Sequence, residues 1–174
     1  DRLQITLPYN QEDVILALAE VAKNLVVVNI SGSAVAMPWA DSVDAIVQGW
    51  YGGTESGNAL ADVLTGKVNP SGRLPFSVPF KYEDGPIKTE AQYPGIKTED
   101  DEFWQTHYSE GVYVGYRWYA TQEIPVQFPF GHGLSYSEFA YGEAVLAEDM
   151  LSIPVTNTSK TDGDEVVQVY LRRN

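Results

Sequence analysis

The segment Leu25–Ile30 constrains the fold more than any other part of the chain. It is rich in valine and apolar on both faces, a pattern typical of a strand that is covered on both sides in a parallel sheet. A second segment of this kind, Ala45–Trp50, follows after about 15 residues, which is enough chain for the crossover between parallel strands. The sequence therefore predicts a parallel sheet.

Helical periodicity flanks the two strands. It predicts one helix over Asn10–Lys23, capped by Asn10, and another over Thr54–Thr65, capped by Thr54 and ended by Gly66 in the left-handed conformation. The apolar residues at helical spacing are Val14, Ile15, Leu18, Val21 and Ala22 in the first helix and Leu60, Val63 and Leu64 in the second. Helices that alternate with parallel strands indicate an α/β architecture.

The chain changes character at the turn cluster Asn69–Gly72. From there to Thr106 it is rich in Pro, Gly and charge, which predicts a long surface excursion. Twelve of the 21 aromatic residues then fall between Phe103 and Tyr141. Such crowding indicates either a well-packed loop core or a surface on which ligands stack.

Beyond Phe139 the pattern becomes that of β-structure. Strands are predicted at Met150–Val155 and Glu165–Leu171, with a turn at Asn157–Gly163 between them. A β-sandwich of the immunoglobulin or fibronectin kind needs about seven strands in roughly 100 residues. We therefore expect the C-terminal unit to hold only part of such a sandwich.

Composition excludes several classes of function. The 24 acidic residues outnumber the 11 basic ones, which are scattered, and give a formal net charge of −13. An acidic chain repels phosphate backbones, so we expect no nucleic-acid partner. No apolar run approaches the roughly 20 residues of a membrane-spanning helix. There are no cysteines for disulfides or thiolate metal sites. Asp1-Arg2-Leu3, followed by Gln4, does not resemble a signal peptide, and we expect the chain to be a piece of a longer protein.

Motifs of nucleophilic, metal or phosphate chemistry are weak. A G-x-S-x-G elbow is missing, and His107 and His132, the two histidines, are too isolated for a metal site. Gly52–Gly57 opens a helix without the spacing of a phosphate-binding loop, which favours a packing turn. Among the carboxylates, Glu110 is the strongest candidate for acid/base chemistry, although a solvated or backbone-capping role is favoured for it. For His132 we favour a role in bracing its loop over a role in catalysis.

Several motifs, in order, are similar to glycoside hydrolase family 3, the family of β-glucosidases and their relatives. The two longest are Tyr108–Arg117 and Phe128–Tyr136. The others are Asp1-Arg2, Thr6-Leu7-Pro8, Val26–Asn29, Met37-Pro38-Trp39, Glu55–Ala59 and Gly66–Pro75. Together they cover nearly the whole chain.

The resemblance implies a partial parallel-sheet α/β sandwich followed by the first strands of a fibronectin III-like domain. Residues 1–138 would be the later part of the sandwich with its closing segment and linker, and 139–174 the start of the fibronectin-like domain. A barrel domain would precede both. The resemblance implies a periplasmic or secreted location, and it implies neither cofactor nor metal.

The family's retaining mechanism uses an Asp nucleophile and a Glu acid/base, about 5 Å apart. The resemblance places the Asp on the barrel and the Glu a few residues before Asp1, so neither can be assigned to a residue of this chain. Asp1 and Arg2 match positions beside the acid/base loop, which they would support through a charge-assisted bond. The substrate implied for the parent enzyme is a β-linked oligosaccharide or glucoside, and its partner is the barrel domain.

Two other interpretations stay open at this point. One is a noncatalytic carbohydrate-binding or interaction module that uses the aromatic residues between Phe103 and Tyr141. The other is a flavodoxin-like ligand-binding domain, which the missing phosphate loop disfavours. If the chain is a carbohydrate-binding module, the isolated chain should bind sugar. If it is a scaffold fragment of a hydrolase, it should neither bind sugar tightly nor hydrolyse it.

Overall fold

The computed structural model describes residues 4–171. Within them the chain forms two compact units. One contains the residues up to Tyr51 together with Pro75–Phe130, and the other contains Gly52–Leu74 together with the residues from Gly131 onward. Helices and strands are mixed along the chain, as the α/β assignment predicts. The division into domains at residues 1–138 and 139–174 stays a prediction.

The first unit contains the parallel strand pair that the sequence predicts. Strand β1 (Val26–Asn29) pairs with β2 (Ala45–Gln48) in a register that places Asn29 opposite Gln48. The prediction that both faces of β1 are covered is wrong, because Val26 is exposed and the next two valines are only half-buried.

Helix α1 (Gln11–Ala19) precedes β1 and is shorter than predicted. Asn10 occupies its N-cap position, but the side chain makes no capping bond, so this part of the prediction is wrong. Ile15 packs against the core, whereas Val14 and Val21 are mostly exposed. A sheet of two strands is too narrow to bury the whole apolar stripe of the helix.

The core of the first unit centres on Val35, Met37 and Trp39, which are almost completely buried. Leu7, Ile15, Val27, Ala40, Val43, Ile46 and Phe128 pack around them. Later in the chain, Val78 is also buried and forms an antiparallel bridge with Phe128, and α3 (Tyr116–Thr121) buries Tyr119. The predicted surface excursion therefore contributes to the core at Val78.

The second unit begins with a turn of 3-10 helix, Gly53–Glu55, that leads into α2 (Ser56–Leu64). The prediction that Thr54 caps this helix is wrong, because Glu55 is the N-cap residue. Gly66 has a φ of +74°, and its N–H donates to Val63 O at 3.0 Å. The predicted end of the helix is confirmed.

The β-structure of the second unit consists of short antiparallel pairs. Strand β3 (Phe139–Tyr141) pairs with β6 (Val155–Asn157), and β4 (Val145–Ala147) pairs with β5 (Met150–Ser152). The single strand predicted at Met150–Val155 is wrong. Pro154 has no N–H to donate to a ladder, so the chain breaks there into β5 and β6.

The strand predicted at Glu165–Leu171 is also wrong. The segment is described, but it belongs to none of the strand pairs found in residues 4–171. Its contacts are made by side chains: Gln168 Nε2 donates to Gly131 O at 3.0 Å, and Glu165 binds Arg73. A β-branched sequence becomes a strand only where another backbone is available to pair with it.

Candidate functional site

In parallel α/β sheets, ligands bind at the carboxyl ends of the strands. In this chain those are the ends of β1 and β2. Asn29 and Gln48 are the last residues of the two strands and lie opposite each other. Asn29 Nδ2 donates to Gln48 Oε1 at 2.7 Å. The apolar strand pair therefore ends in a bonded pair of amide side chains.

Ser31 extends this pair into the loop that follows β1. Gln48 Nε2 donates to Ser31 O at 2.9 Å, Asn29 Nδ2 donates to Ser31 Oγ at 3.1 Å, and Ser31 Oγ donates to Ser33 O at 2.9 Å. Asn29 and Ser31 are both buried. Because these amide and hydroxyl groups bond one another, the cluster fixes the shape of the loop.

The sequence motifs described above did not predict this cluster. The available signal was a polar residue at the end of each apolar strand, Asn29 in one and Gln48 in the other. Recognising it requires the register that pairs the two strands, which the sequence alone does not provide.

A cavity of about 1050 Å³ opens beside β1 and the start of α1. Its apolar lining includes Leu7, Val27 and Ile30, and its polar lining includes Asn10 and Asn29. None of the described residues that line it is Asp, Glu, His, Lys or Arg. The cavity can hold apolar groups and form hydrogen bonds, but its described lining offers no carboxylate pair for glycoside hydrolysis.

Gly32 lies at the rim of this cavity, next to Tyr51. A Cβ on Gly32 would lie 2.7 Å from the Cε2 atom of the Tyr51 ring, which is closer than carbon atoms can approach. The glycine lets the ring pack directly on the loop backbone.

Glu110 lies elsewhere in the first unit and is bonded to a side chain. Its Oε2 accepts a hydrogen bond from Gln92 Nε2 at 3.1 Å. Gln92 is buried, and its Oε1 accepts from the N–H groups of Lys88 and Thr89 at 2.8 and 3.2 Å. Glu110 thus acts as an acceptor that helps to hold the 88–92 turn.

His132 lies in the second unit on a loop that pairs with residue 74. Leu74 N donates to His132 O at 2.8 Å, and Gly131 N donates to Leu74 O at 2.7 Å. Burial lowers the pKa of His132, and the positive charge of Arg73 lowers it further. The backbone of this residue braces the loop, and the role of the ring in doing so stays a prediction.

Arg73 carries the ion pair of this loop. Its Nη2 lies 2.8 Å from Glu165 Oε2, and the two side chains are only 12% and 15% exposed. Tyr141 donates to the other carboxylate oxygen, Glu165 Oε1, at 2.6 Å. The carboxylate is held on both oxygens within the second unit.

The side-chain amide of Asn69 joins three loops of the second unit. Its Oδ1 accepts from Tyr136 N at 2.8 Å, and its Nδ2 donates to Ser137 Oγ at 2.8 Å and to Asp162 O at 2.9 Å. A Cβ on Gly163 would lie 2.5 Å from Asn69 Nδ2. These contacts give the Asn69–Gly72 turn an architectural role.

The remaining predicted site features stay separate from these clusters. Asp1 and Arg2, the proposed supports of the acid/base loop, lie outside the described residues, and their role stays a prediction. Gly52–Gly57 forms the turn into α2, with Gly53 at a φ of +62°. Residues 4–171 contain no group of three His, Asp or Glu side chains that could hold a metal ion. In the same range, no helix has the length and apolarity to cross a membrane.

Comparison with known proteins relates the whole chain to one enzyme family. Residues 1–136 match the glycosyl hydrolase family 3 C-terminal domain. The chain is 45% identical over 181 residues to β-glucosidase BoGH3A of Bacteroides ovatus, a match that covers 98% of this chain and 23% of that protein. It is 43% identical to thermostable β-glucosidase B of Acetivibrio thermocellus, covering 99% of this chain and 23% of that protein.

Solved structures agree with this relationship. The β-glucosidase DesR of Streptomyces venezuelae, in complex with D-glucose, matches with a TM-score of 0.81 at 36% identity, over 92% of this chain and 20% of that one. The family 3 β-glucosidase of Bifidobacterium adolescentis matches with a TM-score of 0.81 at 39% identity, over 91% and 23%. The chain spans less than a quarter of each of these relatives. It belongs to glycosyl hydrolase family 3, and most of it corresponds to the C-terminal domain of that family.

Proposed function

We propose that the full-length protein is a retaining, exo-acting β-glucosidase that removes terminal β-linked sugars from oligosaccharides or glucosides. The similarity of nearly the whole chain to proteins named as β-glucosidases, at 45% and 43% identity, carries this proposal. This segment is scaffold, since the cavity at its sheet is lined by no Asp or Glu that the structure describes.

The acid/base Glu is proposed to lie a few residues before Asp1 in the full-length sequence, and the Asp nucleophile on a preceding barrel domain. Asp1 and Arg2 would then support the acid/base loop from the side of this chain. The short antiparallel pairs β3–β6 and β4–β5 support the proposal that the chain continues into a fibronectin III-like domain. A periplasmic or secreted location completes the proposal and rests on the family resemblance alone.

The test of activity uses the full-length enzyme with an aryl β-glucoside and with cellobiose. We expect turnover of both, release of glucose from the chain end, and β-glucose as the first product seen by NMR, because retention keeps the configuration at C1. Replacing the proposed upstream Glu by Gln should abolish hydrolysis of cellobiose, whose leaving group requires protonation. First-formed α-glucose would contradict the retaining mechanism.

The scaffold role has a separate test. The chain of residues 1–174 should hydrolyse neither substrate, because both reacting carboxyl groups lie outside it. Turnover by this chain at a rate near that of the full-length enzyme would show that a catalytic pair lies within it. Fractionation of the source cells, with activity followed in the periplasm and medium, tests the location.

A further inference from the structure

The chain contains the dipeptide Asp-Gly twice, as Asp84-Gly85 in the first unit and as Asp162-Gly163 in the second. The backbone rearranges most readily at this dipeptide, because glycine has no Cβ to shield its nitrogen from the carboxyl carbon of the preceding Asp. The rearrangement requires a Gly nitrogen and an Asp carboxyl that other groups do not hold. The structure gives the two pairs opposite environments.

Both reacting groups are held at Asp84-Gly85. Gly85 N donates to Tyr82 O at 3.0 Å and so closes the 3-10 turn Tyr82–Asp84. The Asp84 carboxylate accepts from Lys81 N at 3.3 Å and lies 4.0 Å from Lys81 Nζ, and the Asp84 side chain is only 17% exposed. Reaction at this pair requires the turn to open first.

Both groups are available at Asp162-Gly163. Asp162 is exposed and Gly163 is half-buried. Over residues 4–171, no donor is bonded to the carboxylate of Asp162, and no acceptor is bonded to the N–H of Gly163. Glycine fits the space at this position, whereas a Cβ would lie 2.5 Å from Asn69 Nδ2 and 2.9 Å from Ser137 Oγ.

The carbonyl groups of the two aspartates are matched. Asn69 Nδ2 donates to Asp162 O at 2.9 Å, and Trp118 Nε1 donates to Asp84 O at 2.8 Å. A hydrogen bond at a carbonyl oxygen polarises its peptide group and makes the N–H of the next residue more acidic. Because this activation is similar in the two pairs, the difference between them lies in whether the Gly nitrogen and the Asp carboxyl are held.

We propose that Asp162-Gly163 is a site of spontaneous isomerisation to isoaspartate in the full-length protein. Gly163 N attacks Cγ of the protonated Asp162 carboxyl, the N–Cγ bond forms as the Cγ–OH bond breaks, and the hydroxyl leaves with the N–H proton as water. Water then opens the resulting succinimide ring at either carbonyl. Opening at Cγ restores Asp, and opening at the main-chain carbonyl gives isoaspartate. One water is released and one is taken up, without enzyme or cofactor.

The product changes a contact that joins loops of the second unit. In isoaspartate the peptide runs through Cγ, which adds a methylene to the main chain, and the former peptide carbonyl becomes a free carboxylate. Asn69 Nδ2 then loses the peptide oxygen to which it donates. Because Asn69 also binds Tyr136 and Ser137, we expect isomerisation to destabilise the second unit.

The full-length protein, kept at neutral pH in water enriched in heavy oxygen, provides the test. Each passage through the succinimide inserts one oxygen atom from water, which peptide mapping by mass spectrometry detects, and electron-transfer fragmentation identifies isoaspartate. We expect both signals to appear at least about tenfold faster at Asp162 than at Asp84, because the turn at Asp84 must open before it reacts. In guanidinium chloride the two rates should become similar, since neither pair is then protected.

Asp162→Glu supplies a matched variant, because it keeps the charge but cannot close a five-membered ring. It should abolish the heavy-oxygen signal at residue 162 and leave the rate at Asp84 unchanged. Aged protein that carries isoaspartate should unfold at a lower urea concentration than fresh protein, whereas aged Asp162→Glu should match its fresh form. No substrate takes part, so a full-length protein without β-glucosidase activity would react equally.

Three results would overturn the proposal. In the folded protein, a rate at Asp162 equal to or below that at Asp84 would show that the full-length fold protects Asp162-Gly163. An unchanged ratio of the two rates after unfolding would show that local sequence, and not the structure, sets the difference. An unchanged urea midpoint in protein that carries isoaspartate at 162 would contradict the loss of the Asn69 contact.

Discussion

Gln127 binds both backbone polar groups of Met37, although 90 residues separate them in the chain. Met37 N donates to Gln127 Oε1 at 3.0 Å, and Gln127 Nε2 donates to Met37 O at 2.5 Å. The amide side chain thus pairs with the backbone as a neighbouring strand would. It satisfies a buried peptide group in the centre of the core of the first unit.

Gln127→Met should destabilise the chain by about 2 kcal/mol, because it leaves the buried N–H of Met37 without a partner while keeping the size of the side chain. The C=O of Met37 loses only one of its two bonds, since it still accepts from Ala40 N at 2.9 Å. Urea unfolding followed by tryptophan fluorescence measures the change, with association excluded by sedimentation. Gln122→Met replaces an exposed glutamine at the end of α3 and should have little effect. Equal losses in the two variants would show that the bonds to Met37 are unimportant.

The parts of the fold that follow from local sequence were predictable. The valine-rich β1, its parallel partner β2, and the end of α2 at Gly66 each depend on residue types within one segment. Long-range side-chain bonds such as Gln127 to Met37 were not predictable, because no local pattern indicates which backbone an amide will bind. The break at Pro154 could have been predicted, since proline cannot donate to a ladder.

The residues of the candidate site also divide into those that the sequence indicated and those that only the structure revealed. The family motifs marked Gly66–Pro75 and Phe128–Tyr136 from the sequence alone. In the structure, Asn69 of the first motif binds Tyr136 of the second, and Arg73 pairs with Glu165. The Asn29–Gln48 pair needed the strand register. The strand predicted at Glu165–Leu171 was wrong, because a β-branched sequence does not indicate whether a partner strand is present.

The ion pair of Arg73 and Glu165 should stabilise the second unit only as a pair. Arg73→Met leaves the largely buried carboxylate of Glu165 without its cation and should cost about 3 kcal/mol, whereas Arg73→Met/Glu165→Leu should cost less than that single change. Lys67→Met, which breaks the exposed pair with Asp62 (side chains 73% and 31% exposed), should cost no more than about 1 kcal/mol. Urea unfolding of the original chain, Arg73→Met, Glu165→Leu and the double variant completes the cycle, and strictly additive effects of the two single changes would contradict coupling.

Gly131 should tolerate a side chain less well than Gly53, although both have positive φ, at +81° and +62°. Nothing lies within 4 Å of a Cβ at Gly53, so Gly53→Ala should cost only about 1 kcal/mol of backbone strain. At Gly131 a Cβ would overlap the amide of Gln168, so Gly131→Ala should push this flexible side chain away from its bond to Gly131 O and cost up to about 1 kcal/mol more. Adding Gln168→Ala to Gly131→Ala should recover part of this additional loss of unfolding free energy, measured by urea unfolding. A Gly53→Ala variant as unstable as Gly131→Ala would refute the role of crowding.

His132 should make the second unit less stable as the pH falls through the ordinary histidine range. Burial and the charge of Arg73 lower its folded-state pKa, so below about pH 6.5 the unfolded chain binds more protons than the folded one. The stability present above that pH is lost progressively until the folded-state pKa is reached. His132→Asn should flatten this part of the pH profile of the urea midpoint, and Arg73→Met should raise the imidazole pKa measured by NMR without restoring its ordinary value, because burial remains. An imidazole that titrates above 6.5 in the folded protein would reverse the predicted sign.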